Sequence, residues 1–284
     1  MNKIILSTEN TCDIPLEKLD QLNVKHISLG LTGQDGVLLR DIKINEFYNR
    51  LKAGEMFKTS LVNEFEYQEY FSELIKEGDV LHIALTSGVS GSCACAKNAS
   101  ETLNKRCQNK VYVVDSLSGS GGQAIILQKA MELIEQGLSI EEVVEKIEQF
   151  KHSVRLEFSP EDLTTLARGG RCNKIVATIG NILNLKPIIY INKEGSFSVR
   201  QKVIGRKKAL NRLIELFKEN YNHEYKTVYI LHGNKVEDAE YIKSKLVEVE
   251  EYKDVDFRVE YLGFIVSAHG GVGNMCLTYT SNNR

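Results

Sequence analysis

The sequence has no tryptophan and only three prolines among 284 residues, which leaves neither a Pro-rich linker nor an interfacial aromatic belt. No apolar run approaches the ~18 residues that a membrane-crossing helix needs. Lys3 is followed only by Ile4-Ile5-Leu6 before polar residues, too short for a signal-peptide core, so a cytoplasmic protein is expected. The six cysteines, Cys12, Cys93, Cys95, Cys107, Cys172 and Cys276, contain no C-x-x-C pair and have no histidine at finger-like spacing. That pattern argues against zinc and fits reduced, buried thiols. A net charge of −2 gives no general attraction to nucleic acid or to an anionic membrane. The P-loop pattern G-x-x-x-x-G-K-S/T and the dinucleotide pattern G-x-G-x-x-G are both missing, so no cofactor is expected.

What is present is a repeated grammar of apolar strand, Ser/Thr/Gly-rich loop and helix. Val80 to Leu85 is apolar, Thr86-Ser87-Gly88-Val89-Ser90-Gly91-Ser92 is small and hydroxylated, and a small-residue helix pattern begins at Cys93. Lys3 to Ser7 and Lys110 to Val114 are apolar strands followed in the same way by Thr8–Thr11 and Asp115–Gly122. Strand–helix alternation implies a parallel sheet, whose ligand loops gather at one edge beyond the strand C-termini. Val24 to Leu31 reads as one strand, and Val37 to Leu39 as its return after a Gly33–Gly36 turn. Lys58-Thr59-Ser60 reads as a polar connection.

The length favours two domains, a parallel-sheet α/β unit over 1–155 and a second over 156–284. In the second, Ser159-Pro160-Glu161-Asp162 starts a helix that Arg168-Gly169-Gly170-Arg171 breaks, and 175–183 reads as another short helix. Pro187 to Ile191 and Phe197 to Arg200 read as a hairpin. Helix patterns occupy Lys207–Phe217 and Val236–Val249, and strand patterns Val228–Leu231, Phe257–Leu262 and Met275–Tyr279. The mixture predicts a sheet unlike the first.

The loops are rich in neutral donors: Thr59, Thr86, Ser87, Ser90, Ser116 and Ser118 each carry one hydroxyl proton. Loop hydroxyls commonly close turns or cap helices; as a set at several strand ends they read as a binding cup. His269 follows the apolar Phe264-Ile265-Val266, which reads as a strand, and is flanked by glycines that let a ligand approach. Gly88-Val89-Ser90-Gly91 approaches the nucleophile elbow G-x-S-x-G, but Ser92 stands where the second glycine lets the turn close. A serine esterase using Ser90 and His269, with no assignable acid, and a small-anion binder remain open beside a non-catalytic reading. Arg168, Arg171, Lys202, Arg206, Lys207 and Lys208 form either a solvated surface or a dock for an acidic partner.

Seven motifs, in order, resemble the DegV family of bacterial fatty-acid-binding proteins. Ser7 to Pro15 resembles D-S-x-x-D-L-P, Lys58-Thr59-Ser60 resembles T-S-x-P-S, and Thr86 to Ser92 resembles S-S-x-L-S-G-T. Val113-Val114-Asp115-Ser116, Leu166 to Arg171, Leu185-Lys186-Pro187-Ile188 and His269 to Gly273 resemble V-V-D-S, L-x-K-G-G-R-I, N-I-K-P-I and H-x-G-P-G. The resemblance implies two α/β domains, the first with a mainly parallel and the second with a mixed sheet, with a long-chain fatty acid such as palmitate between them. It implies a carrier without catalytic residues, whose Thr59 and Ser90 hold the carboxylate with His269 beside them. Ser60, Ser87, Gly91, Ser116 and Arg171 fall in the same motifs as further ligand-loop residues. Some members present the acid to a kinase subunit, here through a basic face of Arg168, Arg171, Arg206 and Lys207. The chain departs at Leu61-Val62-Asn63, at Val272, and at Ile204, where members often have an arginine.

Overall fold

The computed structural model describes residues 3–39, 42–172, 175, 177 and 184–282. In the first half, β1 (Ile4–Glu9), β2 (Lys25–Ile27), β5 (Asp79–Ala84) and β6 (Val111–Asp115) form an all-parallel sheet in the order β2-β1-β5-β6. β5 is buried along its whole length, as a central strand covered on both faces must be. Helices α1 (Leu16–Gln21), α3 (Glu64–Leu74), α4 (Ser92–Asn104) and α5 (Ser120–Glu135) lie between the strands in sequence, with α2 (Ile44–Lys52) before α3 and α6 (Ile140–Phe150) after α5. Asn63 with Glu66 and Ser139 with Glu142 close capping boxes at the starts of α3 and α6.

The region 24–60 departs from its sequence pattern. The single strand expected over Val24–Leu31 is two, β2 and β3 (Gly30–Thr32), in different sheets. The break has a cause: the Asn10 side chain accepts from Leu29 N at 3.0 Å and donates to Leu29 O at 3.3 Å, taking the backbone groups that a continuous ladder would use. The polar connection at 58–60 is a strand, β4 (Lys58–Ser60), antiparallel to β3. The expected return strand at 37–39 shrinks to one bridge, Thr32 to Leu38.

The second sheet is mixed, in the order β11-β10-β12-β7-β8-β9. Its strands are β7 (Val154–Ser159), β8 (Leu185–Ile191), β9 (Phe197–Ile204), β10 (Thr227–His232), β11 (Asp256–Tyr261) and β12 (Met275–Thr280), and only β10 and β11 pair in parallel. The helices are α7 (Leu163–Arg168), capped by Asp162, α8 (Arg206–Asn220), α9 (Val236–Val247) and α10 (Phe264–Gly270). The apolar run at 264–266, expected as a strand, is the first turn of α10. A short apolar run fits either element, and here Ile265, Val266, His269 and Gly270 share one helical face. The helix expected over 175–183 lies largely outside the described residues.

α5 ties the two sheets together. Residues 120–127 of this helix are all buried, and it packs against β1 and β5 on one side and β7, β10 and β12 on the other. A helix that is apolar all round belongs inside a core. At the opposite side of the cleft the β8–β9 turn reaches the loop after β5. Thr86 Oγ1 donates to Gly195 O at 2.9 Å, and a Cβ on Gly88 would stand 2.4 Å from that same oxygen. The close approach requires glycine at position 88.

The loop edge of the first sheet is organised by a residue that the motifs did not single out. Glu9, at the end of β1, is fully buried. Its Oε1 accepts from Tyr67 Oη at 2.5 Å and from Ser92 Oγ at 2.9 Å. Its Oε2 accepts from Leu85 N at 2.5 Å, Thr11 Oγ1 at 3.3 Å and Gln123 Nε2 at 3.4 Å. Five donors from β1's own loop, the end of β5, α3, α4 and α5 thus meet on one carboxylate, as a buried carboxylate with no ion-pair partner among the described residues requires. Glu9→Ala, by stranding these donors, is expected to destabilise the fold by ~3 kcal/mol or more in urea unfolding. A loss below ~1 kcal/mol would contradict the role given to Glu9.

Candidate functional site

Between the two sheets lies a cavity of about 490 Å³, within the range of small-molecule sites. Its walls are mostly apolar. α10 supplies Ile265 and Val266, with Leu262 just before it; the second sheet supplies Leu156, Phe158, Ile191, Phe197 and Cys276. Phe158 and Phe197 meet edge to face at 5.3 Å between ring centres. The alternation of β7 produces this wall, since Leu156 and Phe158 face the cavity while Arg155 and Glu157 pair with each other at 3.0 Å.

Polar residues gather at the end where the C-terminus of α10, β4 and the loop after β5 meet. Thr59, on β4, and His269, in the last turn of α10, are joined by a 2.8 Å hydrogen bond between Oγ1 and Nε2. Ser90 and Gly91 precede α4 and line the cavity beside them. Ser90 Oγ accepts from Ser92 N at 3.2 Å, so its own proton remains free to donate. The positive end of the α4 dipole lies behind the same loop. Burial first, and the Arg171 guanidinium second, push His269 down to about 4, while a backbone contact at Gly169 acts the other way. The ring is therefore neutral at pH 7. In the tautomer that protonates Nε2, His269 donates to Thr59 Oγ1 and frees the Thr59 proton. In the Nδ1 tautomer, which the Gly169 backbone contact favours, Thr59 donates to Nε2 instead.

The remaining expected residues divide. Ser60 and Arg171 line the cavity, Arg171 at its exposed rim with Nη1 donating to Gly169 O at 3.0 Å. Ser87 and Ser116 do not line it. Ser87 is exposed, with its amide directed to Asp115, and Ser116 is buried in a local turn, its hydroxyl donating to Ser118 O at 2.8 Å. Thr86 and Thr11 line the cavity, but their protons go to Gly195 O and to the Glu9–Gln123 network. Of the basic face, Arg168 and Lys207 are exposed, whereas Arg206 is held by Asp238 at 2.8 Å and Glu161 at 3.3 Å. Among the described residues no hydrogen bond joins Ser90 to His269: each has a different partner. Glu9 is the site-forming residue that sequence reasoning missed. Its one signal was an acidic residue ending an apolar strand between two threonines, Thr8 and Thr11.

The family model described as "Uncharacterised protein, DegV family" matches residues 3–282. A DegV domain-containing protein of Clostridium perfringens is 30% identical over 291 residues, covering 100% of this chain and 99% of the relative. The crystal structure of DegV, described as a fatty acid binding protein from Bacillus subtilis, superposes with a TM-score of 0.88 at 29% identity, covering 99% of this chain and 100% of that one. A fatty acid binding DegV family protein from Streptococcus agalactiae also has a TM-score of 0.88, at 26% identity and with both chains covered fully.

The depressed His269 value carries a sign. The unfolded chain, with an ordinary histidine near 6.5, takes up the proton before the folded chain does, near 4. Its contribution to stability is present above 6.5 and is lost as the pH falls toward 4. The His269 ring resonances are expected to stay flat between about pH 8 and 5 and to move only below. A midpoint above ~6 would contradict the burial assigned to the ring.

Proposed function

The chain belongs to the DegV family, and from that premise we propose that it is a cytoplasmic, non-catalytic carrier of a long-chain fatty acid. In this reading the carboxylate lies against Thr59 and Ser90, with His269 orienting Thr59, and the acyl chain runs along α10. One observation carries the proposal: an apolar cavity with the Ser90 hydroxyl, a Thr59–His269 hydrogen bond and a neutral imidazole at one end. The described hydrogen bonds contain no nucleophile–base pair for Ser90, which favours holding an acid over cleaving an ester.

The energetics fit a tail-driven binder. Burying ~15 methylenes at ~0.8 kcal/mol each releases ~12 kcal/mol before costs. Association and ordering offset ~4–15 kcal/mol of it. The head-group contacts then act mainly to keep a desolvated carboxylate satisfied and to fix the direction of the chain. Presentation to a phosphorylating partner would use the exposed Arg168, Arg171 and Lys207 near the polar end. The ion pairs of Arg206 with Asp238 and Glu161 hold that side chain back, and Ile204 is exposed where members of the family often carry arginine.

Native mass spectrometry of protein purified from cells is expected to find a long-chain acid that delipidation removes and added acid restores. Absence of any acyl ligand, with no uptake of added acid, would end the carrier reading. Ser90→Ala is expected to weaken acid binding by roughly 10- to 150-fold, a charged hydrogen bond of ~1.5–3 kcal/mol, with the fold retained. Unchanged affinity removes Ser90 from the site.

A further inference from the structure

The cavity has a second polar place. Since Leu262, Ile265, Val266, His269 and Gly270 all line it, the cavity runs along the α10 axis. His269 marks one end of that helix. At the other end the cap residue Gly263 lies on Asp13, so close that a Cβ there would stand 2.5 Å from Asp13 Oδ1. Asp13 Oδ2 accepts from Ser120 Oγ at 2.5 Å, and Ser120 lines the cavity. Gly263 and His269 are six residues apart, about 9 Å at 1.5 Å of rise per residue.

The two polar places offer opposite halves of a hydrogen bond. Ser90 keeps its proton for a ligand. Where Asp13 is ionised, above about pH 7, Ser120 commits its proton to it, which leaves a lone pair for the cavity. Asp13 is also poorly supplied beside Glu9. Among the described residues Glu9 has five donors, whereas Asp13 has Ser120 as its one side-chain donor and a backbone contact at Gly263, and burial, outweighing both, pushes its carboxyl up to about 7. A buried polar pair short of donors asks for one more. A plain methylene chain passing Ser120 cannot supply it, but a hydroxyl on that chain can.

Resting on the carrier reading above, we infer that the cavity accepts fatty acids bearing a hydroxyl near the middle of the chain, with that hydroxyl donating to Ser120 Oγ. An extended chain advances about 1.2 Å per bond, so a 9 Å spacing places the group seven or eight bonds beyond the carboxyl. The ligand class is a mid-chain hydroxy acid, and an oxo group at the same place is disfavoured because it sets acceptor against acceptor.

The test compares dissociation constants of octadecanoic acid, its hydroxy derivative at that position and the matching oxo derivative, by calorimetry on the whole protein at about pH 8.5, where Asp13 is ionised. The hydroxy acid is expected to bind at least as tightly as the parent acid, and the oxo acid about 5-fold more weakly than the hydroxy acid, roughly one neutral hydrogen bond. In Ser120→Gly, which the backbone at φ 52° accommodates, the three affinities are expected to converge. Asp13→Asn suits its own φ of 58°. Its amide donates to Ser120 and releases the serine proton, which narrows the gap between oxo and hydroxy acids. A hydroxy acid ~10-fold weaker than its parent, or ratios unmoved in both variants, overturns the inference. Binding of none of the three acids to the unaltered protein overturns the carrier reading itself, and this inference with it.

Discussion

The loop edge of the first sheet depends on one carboxylate that has no cation beside it among the described residues. Glu9 ends β1 inside the core, and what makes its charge tolerable there is a shell of five donors drawn from separate parts of the first half. The dependence runs both ways. The charge needs the donors, and the donors hold the end of β5, the first residue of α4 and the first turns of α5 at fixed distances from β1. The loop that carries Ser90 starts from Leu85 and ends at Ser92, and both of those residues are bonded to Glu9. The loop is therefore pinned at its two ends by a single side chain, and Ser90 is held in a frame built from the protein's own groups.

The same economy governs the hydroxyls. The cavity is surrounded by serines and threonines, yet most have already given up their protons: Thr86 to Gly195, Thr11 to Gln123 and Glu9, Ser120 to Asp13. Ser90 retains a free proton, and Thr59 shares its hydrogen bond with a neutral imidazole. A cup that looks uniformly hydroxylated is thus polarised, donating at one end and accepting at the other. Direction is set by where protons are committed, not by how many hydroxyls there are.

This explains what could be read from the residues alone. The parallel first sheet was legible because apolar strand, small-residue loop and helix pattern recur three times, and the mixed second sheet because hairpin and crossover patterns are interleaved there. The residues around Ser90, Thr59 and His269 were legible from ordered motifs. Proton commitments were not, because they are made across long separations: Thr59 meets His269 at 210 positions' distance, and Thr86 meets Gly195 at 109. Ser87 and Ser116 had the right chemistry in the right loops, but the Ser87 backbone amide is turned to the Asp115 carboxylate, 28 positions away, and the Ser116 hydroxyl closes a local turn on Ser118 O. The misread strands have the same origin. A side chain from β1's loop, Asn10, interrupts the ladder at Leu29, and nothing between residues 24 and 31 announces it.

α5 has a consequence for how this chain can be divided. Its buried residues belong to one core cluster that contains Leu6, Ile83 and Val114 from the first sheet together with Leu156, Phe158 and Cys276 from the second. The two sheets are distinct in topology but own that helix jointly. A fragment ending near residue 155 would carry α5 with one flank bare, and a fragment beginning there would lack the helix that closes its sheet. The cleft between the sheets is accordingly bordered by one continuous core, to which both halves of the chain contribute.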